Sequence, residues 1–364
     1  MWAEVDLVDW AALRHNYGSA EDVSELLRRC AGPDPEDAER AADDLLNHLF
    51  HQGGWICSAA PAALPFLLRL AATPDVPSRR TLLELVSRLA SEALQVADRW
   101  VDPGWPSAWE RALPKVLVLL NAPEPEIRRA AADVIGSCRS PGELTLPALL
   151  RRWQAEDDTA TRLDLLLALG HAVLQEPAGE HGPGVRTLLR GLLDAPEAQL
   201  RLAAVHAIAP ADSDLPAQQL GLLLEAVRDP SVELWQHTSA VETGVQGVHH
   251  WTAALLTGPS LAFTLGLLDD HPDVDQRIGG LARAGGLLAQ WRSPTTALLP
   301  RLVARLDDPA AEVRFRAVEL LACLGPAAAA HDDEVAALIG DTGARTTRKR
   351  ETVSPRQPYG RWHG

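Results

Sequence analysis

Residues 298–325 read LLPRLVARLDDPAAEVRFRAVELLACLG, and the fold follows from this stretch. Its first half sets Leu298, Leu299, Leu302, Val303 and Leu306 on one face, the stripe of an amphipathic helix. Asp307, Asp308 and Pro309 interrupt that stripe. Proline lacks the amide that a helix interior needs but suits the first turn of a new helix. Val313, Ala317, Leu320, Leu321 and Leu324 then form a second stripe, stopped by Gly325 and Pro326. Two helices joined by a tight turn make a hairpin with one apolar seam.

The same anchors return along the chain. Pro300 precedes Arg314 by 14 residues, Pro114 precedes Arg128 by 14, and Pro65 precedes Arg79 by 14. The second-helix arginine recurs as Arg79, Arg128, Arg162, Arg201, Arg277 and Arg314, the last five separated by 34, 39, 76 and 37 residues. The long gap holds two units. The one inside it is RDPSVELWQHTSAV (228–241), where Trp235 occupies the arginine position. A recurrence of this length is the signature of a helical repeat array.

The unit resembles the HEAT-repeat (armadillo-like helical) family, and its bacterial members in particular. Pro300, Asp308, Val313 and Arg314 match that family's first-helix proline, turn aspartate and second-helix Val-Arg; Thr73 and Ala122 replace the turn aspartate in other units. The resemblance implies a structural hydrogen-bonded ladder through Asp308 and Arg314, with Arg79, Arg128, Arg162, Arg201 and Arg277 at the equivalent positions. It also implies the fold: an all-α, right-handed α-solenoid of about seven to eight HEAT-like hairpins. Residues 1–56 are expected to be N-terminal helices capping the solenoid, 57–340 the repeats, and 341–364 a disordered basic tail. Units are expected over 57–98, 108–138, 144–175, 184–210, 215–242, 246–290 and 295–324, with insertions at 98–110 and 241–251.

Composition agrees. At 364 residues the chain is longer than one compact core usually allows, and a repeat array can grow along one dimension. Aromatic residues are only 5%, and Ala and Leu dominate, which favours helix over sheet. Net charge is −15, which disfavours duplex nucleic acid as a partner. The tail carries net +4, leaving −19 on the rest. Cys30, Cys57, Cys138 and Cys323 lie far apart with no CxxC pair, against a zinc site or disulfide framework. With neither a signal-type start nor a membrane-length apolar run, the expected setting is cytoplasmic with no membrane association.

Three clusters are candidate sites. Asp44, His48 and His51 fall at spacings that share a helix face, a weak candidate for a metal beside the alternative of helix capping. Trp100, Trp105 and Trp109 lie in DRWVDPGWPSAWE (98–110), as packing under a loop or as partner anchors. Trp235, His237, His249, His250 and Trp251 surround the missing ladder arginine, as local packing or as a binding pocket. The pairs Gly279-Gly280 and Gly285-Gly286 inside a helical pattern read as close helix packing. No GxSxG, phosphate-binding glycine loop or HExxH is present, so no catalytic residue is assigned and no cofactor is expected.

The expected function is therefore a non-catalytic protein-binding scaffold whose acidic concave surface takes a basic protein, such as a toxin. The alternatives are a HEAT-like enzyme, either glycosylase-like on DNA or metal-dependent, and a small-molecule sensor. A glycosylase of this kind needs a basic channel, and the metal enzymes use repeated His-Glu pairs; neither feature stands in this sequence.

Overall fold

The computed structural model describes residues 1–139, 141–176, 179–241, 244–256, 260–291 and 293–338. The expected basic tail, 341–364, lies outside the described residues. The protein is an all-α stack of helical hairpins that divides into two compact units. The first comprises Met1–Asp194 and His237–Ala240; the second comprises Ala195–Gln236 and the chain from Val241 onward.

The first unit opens with α1 (Trp2–Val5), then β1 (Arg14–His15) and β2 (Gly18–Ser19), then α2 (Val23–Cys30) and α3 (Pro35–Leu49). Three hairpins follow: α4 (Ala59–Ala71) with α5 (Arg79–Gln95), α6 (Trp105–Leu119) with α7 (Pro125–Gly136), and α8 (Gly142–Ala155) with α9 (Thr159–Gln175). The last helix is α10 (Gly182–Gly191). The second helices form one layer, α3 on α5, α5 on α7 and α7 on α9, while α4 and α6 pack in the other. Being sandwiched, second helices bury apolar residues around a wide arc: Leu82, Leu83, Leu85, Val86 and Leu89 in α5, and Leu163, Leu165, Leu166 and Leu169 in α9. Pro65, Pro114 and Pro147 each lie inside a first helix. Helix starts carry their own caps. Asp34 accepts from Glu36 N at 3.0 Å ahead of Pro35, and Asp158 accepts from Thr161 N at 2.8 Å.

The N-terminal segment corrects the expectation of helices alone. Residues 14–19 form an antiparallel hairpin, Arg14 opposite Ser19 and His15 opposite Gly18. Gly18, at φ 137°, adopts a backbone that other residues avoid and lets the chain reverse. The tryptophan-rich segment is also corrected. α6 begins at Trp105 with Pro106 in its first turn, so the second part of the expected insertion, 105–110, is helix.

The second unit holds α11 (Ala198–Ile208), α12 (Leu215–Gln218), α13 (Leu220–Arg228), α14 (Gly244–Ala253), α15 (Leu261–Leu267), α16 (Val274–Gln290), α17 (Thr295–Val303), α18 (Ala311–Leu324) and α19 (Asp332–Ala337). α11 packs on α13, α14 and α15 on α16, and α16 and α17 on α18. The expected units at 215–242 and 246–290 are partitioned differently. Pro230–His237 is a 3-10 helix, and α14 is a helix packed on α16 where an insertion was expected. Side-chain bonds to the backbone tie both ends of the 3-10 segment: Asp229 Oδ1 accepts from Ser231 N at 2.8 Å, and Thr238 Oγ1 from Ala240 N at 3.3 Å. Such local bonds compete with a continuing α-helix.

Candidate functional site

Four of the six second-helix arginines share one geometry. Arg128 Nη1 donates to the carbonyls of Ala122 and Pro123, Arg201 Nη1 to those of Ala195 and Pro196, Arg277 Nη1 to those of His271 and Pro272, and Arg314 Nη1 to those of Asp308 and Pro309. Each arginine thus closes the turn that precedes its own helix, using carbonyls five and six residues back. Some also reach forward to the next turn. Arg277 forms a two-bond pair with Asp308 at 2.8 and 3.1 Å, Arg128 does so with Glu156 at 2.8 and 2.8 Å, and Arg79 meets Glu124 at 2.9 Å. Burial works to raise the Glu156 pKa, but the Arg128 bonds, the Asp158 amide and the charges of Arg128 and Arg152 together outweigh it and hold the carboxyl below its usual range.

Two ladder positions differ. Arg201 reaches Glu225, a helix residue, at 2.6 Å. Arg162 lays its guanidinium over the Trp153 ring at 4.3 Å, and its Nε makes no hydrogen bond.

At the position where the array departs from arginine, Trp235 is fully buried and donates from Nε1 to Gln199 Oε1 at 2.7 Å. Its ring lies 4.9 Å from that of Trp251, which stacks on buried His206 at 3.3 Å. His249 is buried; its Nε2 pairs with Gln276 Oε1 at 3.0 Å, and burial pushes its pKa down to about 4. His250 points the other way and is exposed, with Arg283 donating to its Nδ1 at 2.9 Å. His237 is exposed and falls with the first unit. Trp235 and His206 are thus buried against a partly exposed Trp251, and of the five predicted residues His237 and His250 are exposed. Sequence reading missed His206, Gln199 and Gln276; the two glutamines stand one or two residues before Arg277 and Arg201, a signal available only once the arginine register is fixed.

The tryptophans near residue 100 separate sharply. Trp105 and Trp109 are buried and stacked at 5.9 Å, whereas Trp100 is 52% exposed. The Trp100 backbone is held on both sides. Its N donates to Ala97 O at 2.7 Å, and its O accepts from Ile56 N at 2.7 Å, within a short parallel bridge of Ile56 with Val101. Arg99 covers one ring face at 5.7 Å.

The metal candidate regroups. α3 ends at Leu49, and His51 has φ 53°, so His51 is not on the helix face with Asp44 and His48; Asp44 itself is exposed. The hairpin instead carries His15 to His48, their rings stacked at 4.6 Å. Asp22 lies between them, 3.0 Å from His15 Nε2 and 3.2 Å from His48 Nδ1. Among the described residues, His15, Asp22 and His48 form the group whose ligand atoms converge within 4.8 Å. Tyr17 closes one side, its hydroxyl 2.8 Å from His51 Nδ1. No spacing in the sequence announces this group, because the hairpin makes it.

An open groove of about 570 Å³ lies between α13 and α15. Its Arg228 is occupied by the carbonyls of Gly266, Asp269 and Asp270 at 2.5, 3.3 and 2.6 Å. No helix among the described residues is long and apolar enough to cross a membrane.

No protein-family model matches the chain, and no curated protein matches it. Solved structures do. One is from a structure of Kap95p binding RanGDP, 15% identical, covering 89% of this chain and 44% of that one, with a TM-score of 0.38. Another is from a Kap95:Nup1 complex, 15% identical, covering 88% and 43%, with a TM-score of 0.44. A third is an engineered protein, 16% identical, covering 74% and 97%, with a TM-score of 0.36. The chain spans less than half the length of the two Kap95 chains it matches.

Proposed function

We propose that this protein is a non-catalytic protein-binding scaffold whose partner is a basic protein, and that Trp100 is one of its anchors. Trp100 is the observation that carries the reading. A half-exposed indole on a backbone fixed by hydrogen bonds has little conformational freedom left to lose on binding. Trp105 and Trp109 already serve the core, so Trp100 alone of the three is available to a partner. The net charge of −15 supports a basic partner, drawn in by long-range attraction.

Affinity capture on the full-length protein tests this, with Trp100→Ala in parallel, at about 50 and about 500 mM salt, which spans strong and weak screening. A basic protein retained at low salt, lost at high salt and depleted on Trp100→Ala is the expected result. Capture that ignores salt rejects the basic partner, capture that ignores Trp100→Ala rejects the anchor, and the absence of any specific protein rejects the scaffold.

A further inference from the structure

We infer that His48 and Asp22 form a site for a divalent transition-metal ion such as Zn²⁺ or Ni²⁺, with His15 holding the carboxylate in place. The inference is independent of the scaffold reading and stands on the geometry at the N-terminal hairpin.

The protons in this cluster can be assigned. Tyr17 N donates to His15 Nδ1 at 3.0 Å, so Nδ1 carries a lone pair. Neutral His15 must then carry its proton on Nε2, and it donates that proton to Asp22 Oδ1 at 3.0 Å. His15 is thus a positioning residue, a buried donor that fixes one carboxylate oxygen and turns the other toward His48. This is the role outer-shell partners play at metal sites.

The other half of the cluster is unresolved by hydrogen bonding. His48 Nδ1 is buried and makes no hydrogen bond, although Asp22 Oδ2 is only 3.2 Å away. The contact falls short of N–H···O hydrogen-bond geometry, which leaves the ring nitrogen and the carboxylate oxygen side by side for a cation to bridge. A metal fits there. With bonds of about 2.0–2.1 Å to each atom, the observed 3.2 Å gives an N–metal–O angle of about 100°. It also sets the oxygen about 40° off the axis of the imidazole lone pair, a direction poorly suited to N–H···O bonding but suited to a bridging ion. Burial holds the His48 pKa below its usual range, against the pull of Asp22.

The ligand chemistry selects the class of ion. One imidazole and one carboxylate suit Zn²⁺, Ni²⁺ or Co²⁺ rather than Ca²⁺ or Mg²⁺, which prefer all-oxygen shells. Asp22 is about half exposed, so water completes the shell. The ion would join the start of α2 to the end of α3, beneath the hairpin.

Calorimetric titration of Zn²⁺ into the full-length protein tests the site, with His48→Ala, Asp22→Asn and Asp44→Asn as variants. One ion per chain is expected, weakened at least tenfold by His48→Ala and Asp22→Asn and unchanged by Asp44→Asn, in line with the loss of a ligand or its support. Histidine ¹⁵N spectra of the unmutated protein give a second reading that does not depend on variants folding. Zn²⁺ should move the Nδ1 signal of His48 and leave His15 protonated on Nε2. No binding at about 100 µM Zn²⁺, a very weak affinity for such ligands, overturns the inference. So does binding that survives both variants, or a spectrum in which another histidine responds in place of His48.

Discussion

At the scale of single residues, the arginines at one repeat position are not equivalent, and the difference is measurable. Arg277 donates to two turn carbonyls and also neutralises Asp308, whose side chain is almost fully buried. Arg314 reaches two carbonyls from a half-buried position. Removing one partner of a buried ion pair leaves the other charge stranded, so Arg277→Ala should lower unfolding free energy by about 3–5 kcal/mol. Arg314→Ala loses hydrogen bonds to backbone carbonyls and should lower it by about 1–2 kcal/mol. Urea melts of the two variants check the order, and equal losses would show that the forward pair with Asp308 contributes nothing. The pairing was partly written in the sequence. Glu156 stands six residues before Arg162, as Asp308 stands six before Arg314, and both accept from the preceding unit's arginine. Glu124 stands four before Arg128, so the acid that meets Arg79 follows no shared spacing and had to be seen in space.

At the scale of elements, periodicity located helices well and judged their ends poorly, because ends are set by contacts that periodicity does not encode. α3 stops where His51 turns left-handed, and α6 starts early because Trp105 and Trp109 stack inside the core. α14 was hidden because its histidines and glycines dilute the apolar stripe, while the helix is secured by packing on α16. The glycines of α16 show how closely its neighbouring helices are set. A Cβ on Gly280 would meet Leu267 O, a backbone atom, at 2.6 Å, whereas a Cβ on Gly286 would find only Arg283 Nη1 at 3.9 Å. Gly280→Ala should therefore destabilise by about 1–3 kcal/mol through overpacking. Gly286→Ala should stabilise by up to about 1 kcal/mol, since alanine is the better helix former and nothing obstructs it. Thermal melts of both variants read this directly; stabilisation by both would mean that helix propensity, not helix contact, governs these positions.

At the scale of the whole molecule, repeat stacks owe their stability to local units and to the contacts between neighbours, so the two compact units need not respond alike to pH. The second unit buries His206 and His249. Burial holds His206 well below the ordinary histidine value and His249 at about 4. As pH falls through about 6.5 the unfolded chain takes up those protons while the native state does not, so native stability drains away down to about pH 4. For His249 alone the loss is on the order of 3 kcal/mol. The first unit contains the opposite case. Asp164 is buried, accepts Ser239 N at 3.1 Å on both oxygens, and is pushed well above the usual carboxyl range by burial and then by Asp133. A raised carboxyl costs stability as pH rises above about 4, where the unfolded chain releases the proton and the native state keeps it. Acidification relieves that cost. Hydrogen exchange at pH 7 and pH 5, corrected for intrinsic rates, should then show amides of α14 and α16 losing protection on acidification while those of α7 and α9 hold or gain it. Uniform loss across both sets would mean that the chain opens as one cooperative body, with the buried histidines felt equally throughout.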